Sequence, residues 1–349
     1  MQTQLNNILK QKGFLQLTRD NEQSISKQAP IKTSKNTTIQ LLDTGVLRVE
    51  PSTPNNTDLV ISSGVHGNET APIEIIDKLV EKIINEELIV SSRVLFIIGN
   101  PVAMNLSKRF DVENMNRLFS GAHSQGDQQN KERERAKKIE GYCERFYTSA
   151  PQGERRRYHY DLHTAIRDSK REKFAVHPFT DGKPYHREQL QFLLACGVDT
   201  ILLNQQPTTT FSYFSYNTFG AQAFTVELGK VKKFGENNRA DFQAAEDTLR
   251  RLVGEQALSF PEFEPEQHFM FAEAQTINRQ HEEFELNFAD DVANFTAFDK
   301  GDLLAIDGGE NIYAQHDGEH IIFPNAQVAL GQRALLTVIR VPTESLELV

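Results

Sequence analysis

The chain has 349 residues, 38% of them hydrophobic, which is ample for a buried core and long enough for about two domains. A net charge of −10, with no basic block beyond short stretches such as Arg155-Arg156-Arg157, argues against a nucleic-acid partner, although a pocket for a small anion needs only a few local cations. No apolar run approaches the ~20 residues that span a bilayer, and the polar segment 1–15 lacks a signal core, so the expectation is a cytoplasmic protein with no membrane partner. Cys143 and Cys196 lack metal-type spacing and read as free thiols of a reducing compartment.

Residues 1–50 predict a short helix and then a hairpin, in which Ile39-Gln40-Leu41 and Val46–Val49 flank the turn Asp43-Thr44-Gly45. From there to residue 253 the pattern alternates. Apolar strands are expected at 59–63, 94–98, 158–163, 174–176, 200–203 and 223–226, with helices between them at 70–87, 130–148, 184–196 and 238–257. In the first helix Ile73, Ile76, Leu79, Val80, Ile83 and Ile84 recur on one face. Such alternation implies an α/β fold, with a largely parallel sheet covered by helices on both faces and ligands bound at the carboxyl ends of strands. After residue 257 the texture changes. Pro261 and Pro265 punctuate a linker, and short apolar stretches then alternate with turns such as Asp307-Gly308-Gly309 and Asp317-Gly318. The division expected is an α/β domain over 1–257 and a smaller β-rich domain over 258–349.

The chemistry concentrates at strand ends. His66 and Glu69, three apart on a Gly-flanked turn after strand 59–63, can reach one metal ion, and His163 at the end of strand 158–163 supplies a second imidazole. Two imidazoles and one carboxylate leave a fourth zinc position open for water, the layout of a hydrolytic rather than a structural site. Asp161 shares a strand face with His163 and could hold its second ring N–H, or make an ordinary strand-end bond. Glu227 closes an apolar strand, where a carboxylate is costly unless paired or used as a general base. Arg109 and Arg117 lie in the loop-rich segment after strand 94–98. One guanidinium can grip a carboxylate bidentately, and another can hold a developing oxyanion. The run from Pro207 to Tyr216, rich in hydroxyls and aromatics, reads as a loop that lines or covers the pocket. Tyr313 is a further candidate to close it, and His159, His177, His316 and His320 read as structural.

The ordered set Gly64-Val65-His66-Gly67-Asn68-Glu69-Thr70, Gly99-Asn100-Pro101-Val102-Ala103, Arg109-Phe110, Asn116-Arg117, Asp161-Leu162-His163-Thr164 and Val226-Glu227-Leu228-Gly229 resembles the succinylglutamate desuccinylase/aspartoacylase family, within the zinc carboxypeptidase fold group. Gly318–Ala326 and Gly331-Gln332-Arg333-Ala334 resemble the C-terminal β domain of its desuccinylase branch. The resemblance implies one zinc ion per chain on His66, Glu69 and His163, with Glu227 activating water and passing its proton to the departing amine. It further implies that Arg109 stabilises the oxyanion and that Asn116 and Arg117 hold a substrate carboxylate. For that branch the expected reaction is hydrolysis of N2-succinyl-L-glutamate to succinate and L-glutamate, the last step of the succinyltransferase route of arginine breakdown. A substrate with three carboxylates asks for more cations, and Lys108, Arg167, Lys173 and Lys230 are the candidates. The alternatives are a deacylase for another N-acyl acidic amino acid such as N-acetylaspartate, a carboxypeptidase, or a non-catalytic metal-stabilised binding protein. The sequence leaves the oligomeric state open.

Overall fold

The computed structural model describes residues 2–349. Helix α1 (Gln2–Asp20) leads through the short strand β1 (Ile31–Lys32) to the hairpin β2 (Thr38–Asp43) and β3 (Val46–Glu50). There follow β4 (Thr57–Ser63), α2 (Thr70–Ile84), β5 (Arg93–Ile98), α3 (Pro101–Asn105), α4 (Lys131–Thr148), β6 (Arg156–Ala165) and β7 (Phe174–His177). Next come α5 (Arg187–Ala195), β8 (Thr200–Leu203), α6 (Phe211–Phe219), β9 (Gln222–Lys230) and α7 (Arg239–Gly254). The C-terminal part is built from β10 (Phe269–Asn278), β11 (Phe284–Leu286), β12 (Thr296–Phe298), β13 (Leu303–Asp307), β14 (Glu310–Tyr313), β15 (Glu319–Ile322) and β16 (Arg333–Val341).

A single mixed sheet of 13 strands runs β1-β2-β3-β5-β4-β6-β9-β7-β8-β10-β16-β15-β12, and β11, β13 and β14 form a second small sheet. Through its centre β5, β4, β6 and β9 are parallel, as connection by helices requires. The central strands are apolar on both faces because both are covered. Leu59 and Ile61 of β4 and Val94, Phe96 and Ile98 of β5 turn into one core with α1, α2, α5 and α7. Val60, Leu95 and Ile97 turn into the other, under α4 and α6. The expected change of texture at residue 258 is present, yet it does not interrupt the sheet: β10 pairs parallel with β8 and antiparallel with β16. Cys143 and Cys196 are both buried free thiols.

One expectation is overturned in part. Residues 207–210 are a loop, but Phe211–Phe219 is a helix, capped at its start by the Thr210 side chain and stopped by Gly220 at φ 64°. Phe211 and Phe214 are buried in the core, and the hydroxyls that read as loop chemistry dock this helix on the sheet. Ser212 bonds Thr225 and Ser215 bonds His159. Tyr313 is exposed, and its hydroxyl accepts from Asn311 in the outer sheet.

Candidate metal centre and active site

The turn after β4 is fixed by two glycines. Gly64 adopts φ 62°, and Gly67 packs so tightly on α3 that an added Cβ would stand 2.1 Å from the Met104 nitrogen. The Gly67 N–H donates to the Arg109 carbonyl at 3.1 Å, which draws the arginine loop onto the turn. Glu69 occupies the N-cap position of α2 but makes no capping bond. Its carboxylate turns instead to three other groups. Oε1 lies 2.9 Å from His66 Nδ1 and accepts from Arg109 Nη1 at 2.7 Å. Oε2 lies 2.8 Å from His163 Nδ1 and accepts from the Thr164 N–H at 3.1 Å.

One ligand atom from each of His66, Glu69 and His163 falls within 4.8 Å of the others, and all three residues are buried. The outer nitrogens of both rings are engaged. His66 Nε2 is 2.9 Å from Asn114 Oδ1, and His163 Nε2 is 2.8 Å from Asp161 Oδ2. Each ring therefore presents its Nδ1 inward and gives its other nitrogen to an acceptor, the arrangement that fixes tautomer and orientation at metal sites. His66 Nδ1 is buried without a hydrogen-bond partner despite its short distance to Glu69. That is how donors sharing an ion stand to each other, so the residues fit a metal.

Electrostatics point the same way. Burial opposes ionisation of Glu69, but the flanking imidazoles of His66 and His163 outweigh it and hold its carboxyl well below the usual range. His163 is likewise buried against its charge, and Asp161 and Glu69 nevertheless push it well above an ordinary imidazole. The cluster thus calls for positive charge between its carboxylates, which a cation supplies. His66, flanked by Arg109, is pushed by burial and by that guanidinium down to about 4.

Glu227 and His163 are register partners on adjacent parallel strands. Strand β9 continues to Lys230, so Glu227 sits inside the strand rather than at its end. Its Oε2 is buried without a hydrogen-bond partner. Burial, aided by the negative charge of Glu69, pushes its carboxyl up to about 7. Of the anion-binding candidates, Asn116 is buried and commits its Oδ1 to the Phe211 N–H at 2.9 Å, while Arg117 is half-buried and bonds the Asn116 carbonyl at 2.9 Å. Of the other cations, Lys108 is exposed and the remaining three have separate occupations. Arg167 holds backbone carbonyls of Asp290, Val292 and Pro324, Lys173 that of Asp241, and Lys230 pairs with Asp168 at the surface.

Two residues that support the site escape a sequence reading. Asn114, two residues before Asn116, is the acceptor for His66. His159, which reads as structural, stands in a buried chain. Ser62 donates to Asp161 Oδ1 at 2.6 Å and lies 2.8 Å from His159 Nε2, while His159 Nδ1 lies 2.8 Å from Ser215 Oγ. Its period-two spacing to Asp161 and His163 on β6 was the available signal, since all three then face the same side.

The profile described as the Succinylglutamate desuccinylase/Aspartoacylase catalytic domain matches residues 55–253, and that of the AstE/AspA barrel-sandwich hybrid domain matches 266–341. The chain belongs to the succinylglutamate desuccinylase/aspartoacylase family. A curated succinylglutamate desuccinylase of Idiomarina loihiensis is 65% identical over 336 residues, spanning 96% of this chain and 98% of that protein. The crystal structure of the succinylglutamate desuccinylase from Vibrio parahaemolyticus superposes with a TM-score of 0.85 at 35% identity, covering 95% of each chain. That from Vibrio cholerae gives 0.84 at 34% identity, covering 94% of this chain and 95% of that one. The α/β fold with a β-rich C-terminal part expected from the sequence is thus a family feature, and the chain is a hydrolase of this family.

Proposed function

We propose that the chain hydrolyses N2-succinyl-L-glutamate to succinate and L-glutamate, with His66, Glu69 and His163 holding one zinc ion. The observation that carries this reading is Glu227, a buried carboxylate with a partnerless oxygen, held in register with His163. The 65% identity to the succinylglutamate desuccinylase of Idiomarina loihiensis supports the substrate. Zinc supplies Lewis acidity when bound, polarising a carbonyl and acidifying water. The protein does the rest. Glu227 takes one proton of the attacking water as oxygen adds to the acyl carbon, then delivers it to nitrogen as the C–N bond breaks, so the amino acid leaves as a neutral amine and the acyl group as a carboxylic acid, which then releases the water's second proton to solvent. A carboxyl that titrates near neutrality suits both halves of that cycle. Arg109, anchored on Glu69, faces the oxyanion, and Asn116 with Arg117 holds a carboxylate of the substrate. Residues 1–257 carry this machinery in our reading, and 258–349 narrow its mouth so that small substrates are favoured over peptides.

Release of free amino acid from N-succinyl-glutamate and from N-acetyl-aspartate, each with and without chelator, tests the assignment. Chelator-sensitive release from succinyl-glutamate alone is expected. Release from acetyl-aspartate alone would keep the chemistry and overturn the substrate, whereas no release from either would leave a metal-stabilised binding protein.

A further inference from the structure

N-succinyl-glutamate carries three carboxylates, and Arg109 is already tied to Glu69. Of the cations that neighbour the motifs in sequence, Arg167, Lys173 and Lys230 are occupied elsewhere and Lys108 is exposed. A different cation, in the C-terminal part, lies within electrostatic range of Arg117. Glu227 is paired across the sheet with Phe174 of β7, on the side opposite His163. Directly opposed residues of antiparallel strands share a face, so Phe174 stands on the face that presents Glu227. The Phe174 ring lies 5.6 Å from that of Phe323, and the guanidinium carbon of Arg333 lies 5.8 Å from the Phe323 ring. A short row of contacts thus leads from Glu227 to Arg333, the first residue of β16.

Two bulky residues in or beside this row have left-handed backbone angles. Phe323 adopts φ 51° and Phe295, whose ring lies 5.2 Å from Phe174, adopts φ 61°. Bulky residues rarely take such angles, and they persist where surrounding structure imposes them for a purpose. The Phe323 N–H is held by the buried Asn294 side chain at 2.8 Å, which fixes the ring beside Arg333.

Arg333 is half-buried, and among the described residues it has no ion pair and no side-chain hydrogen bond. Glu273 exerts a distant attraction, but its oxygens serve the Gln205 N–H and the Thr276 hydroxyl. Arg117 is in the same condition, with only the carbonyl of Asn116 as partner. The two arginines sense each other: burial first, then the positive charges of Arg333 and Arg109, push Arg117 down to about 9. Two half-buried arginines that repel each other and have no salt-bridge partner are unfavourable in the unliganded protein, and an anion relieves them. We propose that Arg333 is a substrate-binding residue that grips a carboxylate remote from the scissile amide, so that the C-terminal part completes the anion site begun by Arg109 and Arg117. This rests on the reading of the substrate given above. Arg117 and Asn116 keep the carboxylate beside the scissile nitrogen, leaving for Arg333 either the acyl end or the glutamate side chain.

The test compares Arg333→Ala and Arg333→Lys with the wild-type zinc enzyme on three substrates: N-succinyl-L-glutamate, N-acetyl-L-glutamate, which lacks the acyl carboxylate, and N-succinyl-L-glutamine, which lacks the side-chain carboxylate. Expected for Arg333→Ala is a KM for succinyl-glutamate raised tenfold or more, a kcat within threefold of wild type, and substantial recovery in Arg333→Lys. On one of the two truncated substrates the penalty disappears, and that substrate names the carboxylate held. An unchanged KM, a loss confined to kcat, or an equal penalty on all three substrates would overturn the proposal. Calorimetric binding of succinate and of L-glutamate to the same proteins separates this from a wrong substrate. If the wild type hydrolyses none of the three yet Arg333→Ala weakens binding of one of these anions tenfold or more, the anion site stands and the assigned reaction falls; if binding is unchanged, Arg333 has no such role.

Discussion

At the scale of single residues, metal binding and proton transfer reside in different side chains, and so they can be separated. Glu227→Gln keeps the shape of the site and removes the base. It is expected to retain zinc, measured by elemental analysis, while turnover falls by a factor on the order of 10²–10⁴. Full activity in that variant would sink the assigned role. Arg109→Ala should lower kcat on the order of 10²–10³ with little change in KM, because the oxyanion exists only in the transition state. Arg117→Ala should mainly raise KM, because it holds a group charged throughout, and steady-state kinetics on the two variants checks the split. Away from the site, His177 is packed among Tyr185, Tyr216 and Phe224 and gives its Nδ1 hydrogen to the Pro178 carbonyl. Burial pushes it down to about 4 from its ordinary 6.5. The unfolded chain therefore binds the extra proton first. The stability His177 contributes is complete above pH 6.5 and is lost as pH falls towards 4, amounting to roughly 3 kcal/mol at one pKa unit per 1.36 kcal/mol. In His177→Gln the denaturation midpoint should be lower at neutral pH and should fall less steeply over that window. A parallel fall in both proteins would refute the claim.

At the scale of elements, the strands and helices that build the hydrolytic set were legible because burial on both sheet faces writes unbroken apolar runs, as in Leu59–Ile61 and Val94–Ile98, and one-sided helix burial writes the i, i+3, i+4 pattern of α2. Helix α6 was not legible. Serine, threonine and aromatic residues in succession carry no helical stripe and little helical propensity, and what makes them a helix is the destination of their hydroxyls. Ser215 meets His159, Ser212 meets Thr225, and the Phe211 N–H meets Asn116. None of these partners is near in sequence. The same reason hid the chain from Ser62 through His159, whose members come from β4, β6 and α6. Ser215→Ala leaves the His159 ring nitrogen unpaired in a buried position, and a loss of about 1–3 kcal/mol in denaturant-induced unfolding is expected. A midpoint shift of under a tenth of the wild-type value would show the contact to be idle.

At the scale of the whole molecule, a boundary read from texture is not a boundary in the hydrogen-bonded sheet. Composition does change after residue 257, and short strands replace long helices. Yet β10 and β16 extend the central sheet, and Leu336 and Val338 share a buried cluster with Phe174 and Leu202. Register between distant strands leaves no local mark, which is why the continuity of the sheet across residue 257 is not legible in the sequence. A fragment ending at residue 257 would expose the pairing edge of β8 together with that apolar cluster. Such a fragment is expected to aggregate or to lack a cooperative thermal transition. A soluble fragment that melts cooperatively would show that the α/β part folds alone.

The register of His163, Glu227 and Phe174 on three neighbouring strands has a consequence for how this scaffold can diversify. In the proposed reaction two of these positions serve bond cleavage, while the third opens a path of aromatic contacts towards the start of β16. Because one rigid sheet fixes all of them, variation at the beginning of β16 and in the loop before it can alter which molecules are admitted without disturbing the atoms that perform hydrolysis. Selectivity becomes a separately adjustable trait, and a library confined to positions 323–333 offers a direct route to related hydrolases with new substrate preferences.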